Sequence, residues 1–353
     1  MAAPSPAPAN HPRGIPDEST LDALLSEPRA ATVAALARCP GDVIVLGAGG
    51  KMGPTLARMT LAAARQADGA RVRRVIAVSR FTSADAERSL QEAGVHTVQC
   101  NLLDPARVAE LPDAPNVIFM AGQKFGTHDT PDRTWMMNAV VPAICARRYA
   151  GSRVVVFSTG NVYPLTPADG DGSRETDAPA PVGEYAWSCL ARERIFEHAA
   201  ATGTRVAVMR LNYAVALRYG VLTDLALRVW HGEPISLAMA RVNVIWQGDA
   251  NRAALELLPH AGSPAFVLNV TGREALSVRE VALALGRRLD REPRFAGTEA
   301  TDALLSNSDR MARTLGAPEV PTDTMLDWVA DWVRAGRPLL GKPTHFDVRD
   351  GAF

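Results

Sequence analysis

Residues 43–53 read Val-Ile-Val-Leu-Gly-Ala-Gly-Gly-Lys-Met-Gly. A short apolar run meets a glycine-rich turn, and a helical pattern follows from Pro54 through Thr55, Leu56, Ala57, Met59 and Leu61. Gly47, Gly50 and Gly53 give the spacing GxxGxxG, whose chemistry is the binding of a pyrophosphate. Gly47 lets the chain turn tightly off a strand. Gly50 lets backbone N–H groups approach the phosphates, and Gly53 lets the helix pack closely on the sheet. The phosphates would sit at the positive end of that helix, beside Lys51 and Met52. The next strand candidate, Val75-Ile76-Ala77-Val78, ends in Ser79-Arg80. In a nucleotide-binding fold an acidic residue about 20 positions past the glycines usually takes the adenosine ribose hydroxyls, and no carboxylate stands here. A serine and an arginine suit a 2′-phosphate, because a guanidinium pairs well with phosphate. Lys51 adds a second positive charge. The expected cofactor is NADP(H) in preference to NAD(H); the alternative is that Arg80 is a solvated loop residue.

The elements around these residues alternate. Apolar strand-like runs fall at 43–46, 72–78, 95–99, 116–121, 153–158, 205–211 and 265–270. Helical patterns fall at 19–38, 54–66, 83–93, 132–149, 184–201 and 249–258, with Ser19 as a candidate N-cap of the first. Alternation of this kind predicts βαβ units and a doubly wound, parallel, Rossmann-type α/β sheet. Near-continuous apolar strands such as Val154-Val155-Val156-Phe157 fit a sheet covered on both faces. After residue 212 the rhythm changes and becomes mostly helical from 273, ending in a helix that carries Trp328 and Trp332 four positions apart on a core face. The expected organisation is a disordered tail over 1–18 and an NADP-binding domain over 19–215 and 249–272. A smaller, mostly helical substrate-binding lobe follows over 216–248 and 273–340, and 341–353 is a tail or a lid.

Composition bounds the function. The 353 residues suffice for a large core, and 38 basic residues balance 38 acidic ones. A net charge near zero offers no electrostatic case for nucleic acid or an anionic membrane surface. No apolar run reaches the roughly 18 residues of a membrane helix, and the Pro- and Ala-rich N-terminus lacks a secretory pattern. Cys39, Cys100, Cys145 and Cys189 lie far apart, and the seven histidines show no paired spacing. Reduced thiols in a cytoplasmic protein are expected, with no metal. The expected partner is a small-molecule substrate.

From about residue 42 to 335 the order of motifs resembles the extended short-chain dehydrogenase/reductase family of NAD(P)-dependent epimerases and dehydratases. Phe119-Met120-Ala121-Gly122-Gln123-Lys124 is similar to the fourth-strand end of galactose epimerases, where the matching lysine lies near the cofactor. Asn138 matches an asparagine of the following helix. Phe157-Ser158-Thr159-Gly160-Asn161-Val162-Tyr163 resembles the segment S-[ST]-x-x-V-Y, which puts the catalytic hydroxyl on Thr159. Tyr185 matches the catalytic tyrosine, after the loop Glu175-Thr176-Asp177-Ala178-Pro179. Arg210-Leu211-Asn212 resembles the R-x-x-N-x-x-G segment, with Ala216 at the glycine. The resemblance implies cofactor contacts from Ala121, Lys124, Asn138 and Tyr185 besides the glycine loop. It also implies a homodimer built through helices 132–149 and 184–201.

The chemistry explains these residue types. A phenol has a pKa near 10 and works at neutral pH only when a positive charge stabilises its phenolate. The family supplies that charge with a lysine four residues after the tyrosine, one helical turn on. Tyr185-Ala186-Trp187-Ser188-Cys189 puts cysteine there instead. Three readings stay open: Lys124 or another base substitutes, the chemistry needs no phenolate, or the chain binds NADP without turnover. Gly160 and Asn161 stand where 4,6-dehydratases carry an acid pair, so water elimination is disfavoured. Tyr163 and Trp187 read as packing residues, while His128 and Arg133 are candidates to reach substrate. The expected function is an NADP(H)-dependent oxidoreductase or epimerase acting on a hydroxyl or keto carbon of a polar, sugar-like molecule. The alternative is a non-catalytic NADP-binding or regulatory protein.

Overall fold

Strand β1 (Val43–Leu46) is buried at every position, as are the apolar residues of β2 (Val75–Ser79) and β4 (Asn116–Phe119). Side chains buried on both faces require cover on both faces, and the computed structural model supplies it. The structure describes residues 11–69, 73–124, 126, 129–342 and 344–351. With β3 (His96–Gln99), β5 (Arg153–Thr159), β6 (Arg205–Leu211) and β7 (Phe266–Val270), these strands form one seven-stranded sheet in the order β3-β2-β1-β4-β5-β6-β7. Every neighbouring pair is parallel. The winding reverses between β1 and β4, which opens a crevice at the carboxyl ends of the strands.

In chain order the helices are α1 (Glu18–Leu25), α2 (Ala30–Ala37), α3 (Gly53–Asp68), α4 (Ala84–Glu92), α5 (Pro105–Ala109) and α6 (Pro131–Trp135). A π-helical turn (Met136–Val140) leads into α7 (Val141–Arg148) and then α8 (Gly183–Ala201). The rest are α9 (Val221–His231), α10 (Gln247–Glu256), α11 (Val278–Leu289), α12 (Asp309–Thr314) and α13 (Thr322–Arg334). Leu36 of α2, Leu56 and Met59 of α3 and Ala254 of α10 pack one face of the sheet against Val45, Val155 and Met209. Val108, Cys145 and Phe196 cover the other face against Ile44, Val117 and Val154. A separate core joins α9, α11 and α13 through Leu222, Leu225, Leu285, Trp328 and Trp332.

Three stretches differ from expectation. The helix expected over 19–38 is two helices, because Pro28 pushes Glu27 out of the helical region. Asp17, not Ser19, caps α1, its carboxylate accepting from the Thr20 amide at 2.8 Å. Leu21 and Leu25 of α1 join the core of α9, α11 and α13, away from the sheet. Residues 11–17, expected as part of a tail, are ordered against α13: Trp328 Nε1 donates to the Pro12 carbonyl at 2.9 Å, and Ile15 is buried. Residues 1–10 lie outside the described residues. At the other end, residues 338–342 are exposed, and residues 344–351 return to the C-terminal core, with Phe346 fully buried in it.

Candidate active site

A cavity of about 780 Å³ opens at the carboxyl ends of β1, β4, β5 and β6. Its floor is the glycine loop, with Gly47, Gly49, Gly50, Lys51 and Met52 along the wall. The loop glycines do different work. Gly47 has φ of +94°, and a Cβ on it would lie 2.6 Å from the Ala121 backbone. A Cβ on Gly53 would collide with the Ala48 carbonyl, and one on Gly49 with Ser79 Oγ. At Gly50 a Cβ would meet only the Gly47 carbonyl oxygen at 3.5 Å, so the space beside it belongs to the cavity. The loop feeds the N-terminus of the 16-residue helix α3, with Pro54 in its first turn. Amides presented at a helix start with no Cβ in front of them fit a pyrophosphate.

Across the cavity, Thr159 ends β5 and Tyr185 stands in the first turn of α8, placed there by Gly183, which turns with φ of +80°. The Tyr185 hydroxyl is hydrogen-bonded to Thr159 and to the Cys189 thiol. Burial pushes the phenol well above its ordinary pKa, and the nearby Cys189 adds to that; Arg192 and the Thr159 bond act the other way. The Cys189 thiol is itself pushed up by burial. Cys189 packs with Val162, Tyr163 and Leu190.

Lys124 lines the cavity, its Nζ 6.0 Å from the centre of the Tyr185 ring. Burial brings its ammonium down to about 8, against the pull of Cys189 and Asp224. The sequence does not single out Arg192, although it sits seven positions after Tyr185, two turns along one helix face. Its guanidinium donates to the Phe157 carbonyl at 2.8 Å and to Asn138 Oδ1 at 2.7 Å. Its buried Nε has no hydrogen-bond partner among the described residues. A Cβ on Gly122 would lie 2.5 Å from Arg192 Nη2, so glycine leaves room for the guanidinium.

The other expected residues fall around this centre. Asn138, on the π turn, sits behind the cavity wall: it accepts from the Gln123 amide at 2.8 Å and donates to the Gln123 carbonyl at 2.9 Å. It fixes the loop that carries Lys124. Ala121 backs Gly47. Ser79 touches the glycine loop from behind, and Arg80 is exposed at the end of β2, outside the cavity wall. Arg133 is exposed on α6 and not among the cavity residues, and His128 lies outside the described residues. Tyr163 is buried, its hydroxyl donating to Asn269 Oδ1 at 2.9 Å and accepting from Arg210 at 2.6 Å. Arg210 and Glu193 form a buried ion pair at 2.7 Å that locks α8 to β6.

Tyr219, Lys342, Arg218 and Gly49 also line the cavity, and sequence reasoning missed them. One signal was available. The chain holds only three lysines among its 38 basic residues, Lys51, Lys124 and Lys342, and all three line this cavity.

A doubly wound sheet with a glycine loop at its switch point and a Thr–Tyr hydroxyl pair facing it defines a nucleotide-dependent oxidoreductase class. Residues 43–269 match the model of the NAD dependent epimerase/dehydratase family, and the chain belongs to that family as an enzyme of the extended short-chain dehydrogenase type. No curated protein matches the chain. Among solved structures it is similar to MoeE5 in complex with UDP-glucose and NAD, at 21% identity and a TM-score of 0.67, over 84% of this chain and 99% of that one. It is similar to the UDP-glucose 4-epimerase of Thermus thermophilus in complex with NAD, at 20% identity and a TM-score of 0.68, over 83% and 99% of the chains. It also resembles the UDP-Glc/GlcNAc 4-epimerase of Campylobacter jejuni, at 19% identity and a TM-score of 0.69, over 84% and 100%. No helix among the described residues is long and apolar enough to cross a membrane.

Proposed function

We propose that the protein is an NADP(H)-dependent oxidoreductase or epimerase acting on a hydroxyl or keto carbon of a polar, sugar-like small molecule. The observation that carries this reading is the Thr159–Tyr185 hydroxyl pair facing the glycine loop across one cavity. Gly49, Gly50, Lys51 and Met52 would hold the cofactor pyrophosphate at the start of α3. A bound nicotinamide supplies hydride exchange with the substrate carbon. The protein's own groups act on the oxygen of that carbon. Burial keeps Tyr185 protonated, which suits it to donate a proton to an oxygen gaining negative charge. In the opposite direction the tyrosinate left by that donation takes the proton back, with Arg192 and Lys124 as the nearby cations in place of the family's lysine. Thr159 orients the same oxygen.

The NADP(H) preference rests on the missing carboxylate at the end of β2 and on Ser79-Arg80 there. Cytoplasmic residence is supported by four cysteines that are free and buried, a pattern of reducing compartments. Fluorescence titration of NADPH and NADH onto the full chain tests the cofactor, and product NMR with free and nucleotide-linked sugars tests the reaction. NADPH binds more tightly, and Arg80→Ala weakens it by about 1–3 kcal/mol while leaving NADH nearly unchanged. Tyr185→Phe removes most turnover. Tighter binding of NADH overturns the preference, and full turnover in Tyr185→Phe overturns the proton route.

A further inference from the structure

Phe81 stands in a conformation that its side chain resists. Its φ is +41°, in the left-handed region, where a bulky residue is a true outlier. Its ring is nevertheless only 8% exposed and belongs with Leu61 and Leu90 to the core on the face of the sheet that α3 covers. Strained residues persist only where their surroundings over-determine them, and they cluster at ligand clamps. The residue immediately before this one is Arg80.

The backbone on both sides of Arg80 is fixed, while its guanidinium is not. The Val78 carbonyl accepts from the Gly47 and Ala48 amides at 2.9 and 3.0 Å, which ties the end of β2 to the glycine loop. On the other side the Ser79 carbonyl accepts from the Cys100 amide at 2.9 Å. Ser79 Oγ lies against Gly49 and makes a long contact of 3.5 Å with the Phe81 amide, across a turn whose middle residue is Arg80. Two residues after Phe81, Ser83 caps α4, accepting from the Ala86 amide at 3.3 Å. The Arg80 side chain is exposed, and its guanidinium makes no hydrogen bond or ion pair with any described residue. The acids in the first turn of α4 are engaged elsewhere: Asp85 pairs with Arg88, and Glu87 accepts from Gln99.

We propose that Phe81 is the positioning residue for cofactor choice: its buried ring and left-handed backbone hold the turn that sets Arg80 beside the glycine loop to receive a 2′-phosphate. This rests on the reading of the glycine loop as the dinucleotide seat and of Arg80 as the phosphate partner. The planar fork of an arginine pairs well with phosphate only when it is aimed. Ordering a rotamer-rich side chain on binding costs affinity. A turn fixed at both neighbours of Arg80 meets part of that cost before the cofactor arrives. Phe81 acts through Arg80 and needs no contact of its own with the cofactor.

The test uses the full chain, with NADPH and NADH titrated separately by nicotinamide fluorescence. The readout is the ratio of the two affinities, which a general weakening of the fold does not move. The unmodified protein favours NADPH tenfold or more. Three variants separate the parts of the anchor. Phe81→Val keeps an apolar group, but its branched Cβ resists the left-handed backbone. Phe81→Gly accepts that backbone and removes the ring. Phe81→Leu keeps a large apolar group and no extra branching at Cβ. Phe81→Val and Phe81→Gly lower the ratio fivefold or more while NADH affinity stays within twofold, and Phe81→Leu keeps the ratio within twofold. Denaturation midpoints show which variants are folded, and Phe81→Val carries the test if Phe81→Gly is not. An unchanged ratio in folded Phe81→Val overturns the proposal. So do equal losses of NADPH and NADH, which mark a purely structural residue. Arg80→Ala is the control on the underlying reading and brings the ratio near one. A ratio that Arg80→Ala leaves intact defeats that reading; a ratio sensitive at Arg80 and indifferent at Phe81 defeats this proposal alone.

Discussion

Gly53 and Gly50 stand three residues apart and answer to different demands. A methyl group on Gly53 meets the Ala48 carbonyl inside the strand–helix contact, whereas one on Gly50 points into open cavity. Gly53→Ala is therefore expected to destabilise the fold by about 1–3 kcal/mol, the usual cost of overpacking. Gly50→Val is expected to leave the denaturation midpoint nearly unchanged and to remove NADPH binding. Chemical denaturation and fluorescence titration of the two variants check this pair; a folded Gly50→Val that still binds NADPH would place the cofactor elsewhere. The different duties of these glycines cannot be read from spacing alone, because both follow from what stands opposite each Cα. The same holds for Arg192. Tyr185 and Thr159 were legible because their types and flanking residues recur in a known family. Arg192 acts through a guanidinium threaded between Phe157 and Asn138, and its importance depends on the gap that Gly122 leaves. Asn138, read as a cofactor contact, holds both backbone groups of Gln123. That distinction needs three dimensions.

At the scale of elements, the strands announced themselves. The runs 43–46 and 205–211 coincide with β1 and β6, since a strand buried on both faces is apolar along most of its length, Val206–Met209 in β6. Helix ends shifted by a residue or two, as capping and fraying allow. The C-terminal segment was not legible. Residues 338–342 and 344–351 contain no regular helix or strand, and the contacts of 344–351 are with partners distant in sequence: Asp224, Asp302 and the core around Phe346. Periodicity carries no trace of such contacts. Phe346 is the anchor, so Phe346→Ala is expected to destabilise the C-terminal lobe by about 3–5 kcal/mol, the range for truncating a buried aromatic. Urea denaturation followed through tryptophan fluorescence reads this directly, because Trp328 and Trp332 belong to the same core. A cost below about 1 kcal/mol, the level of a surface substitution, would mean that the segment is loosely attached.

For the whole molecule, an apolar patch crosses two elements that flank the active site. Trp135, Met136 and Val140 are 38–43% exposed where α6 runs into the π turn, and Val182 and Trp187 are 51% and 52% exposed at the start of α8. Trp135 Nε1 donates to Glu184 at 2.5 Å, which joins the two groups into one surface. Single exposed apolar residues need no explanation, but contiguous ones mark an interface. These are the helices through which the family resemblance implies a homodimer, and an isologous contact would put each residue against its symmetry mate's patch. Light scattering on the purified chain is expected to give twice its 37.7 kDa mass. Trp187→Glu, which places a charge at the centre of an apolar contact, is expected to give the monomer. Trp187 lies two residues after Tyr185 and points the other way, into solvent in the isolated chain. The monomeric variant should accordingly keep NADPH binding, since the glycine loop is untouched. It should lose turnover in proportion to how far the first turn of α8 depends on its partner for rigidity. A Trp187→Glu protein that remains dimeric, or an unmodified chain that is monomeric at micromolar concentration, would show that the patch serves something other than self-association.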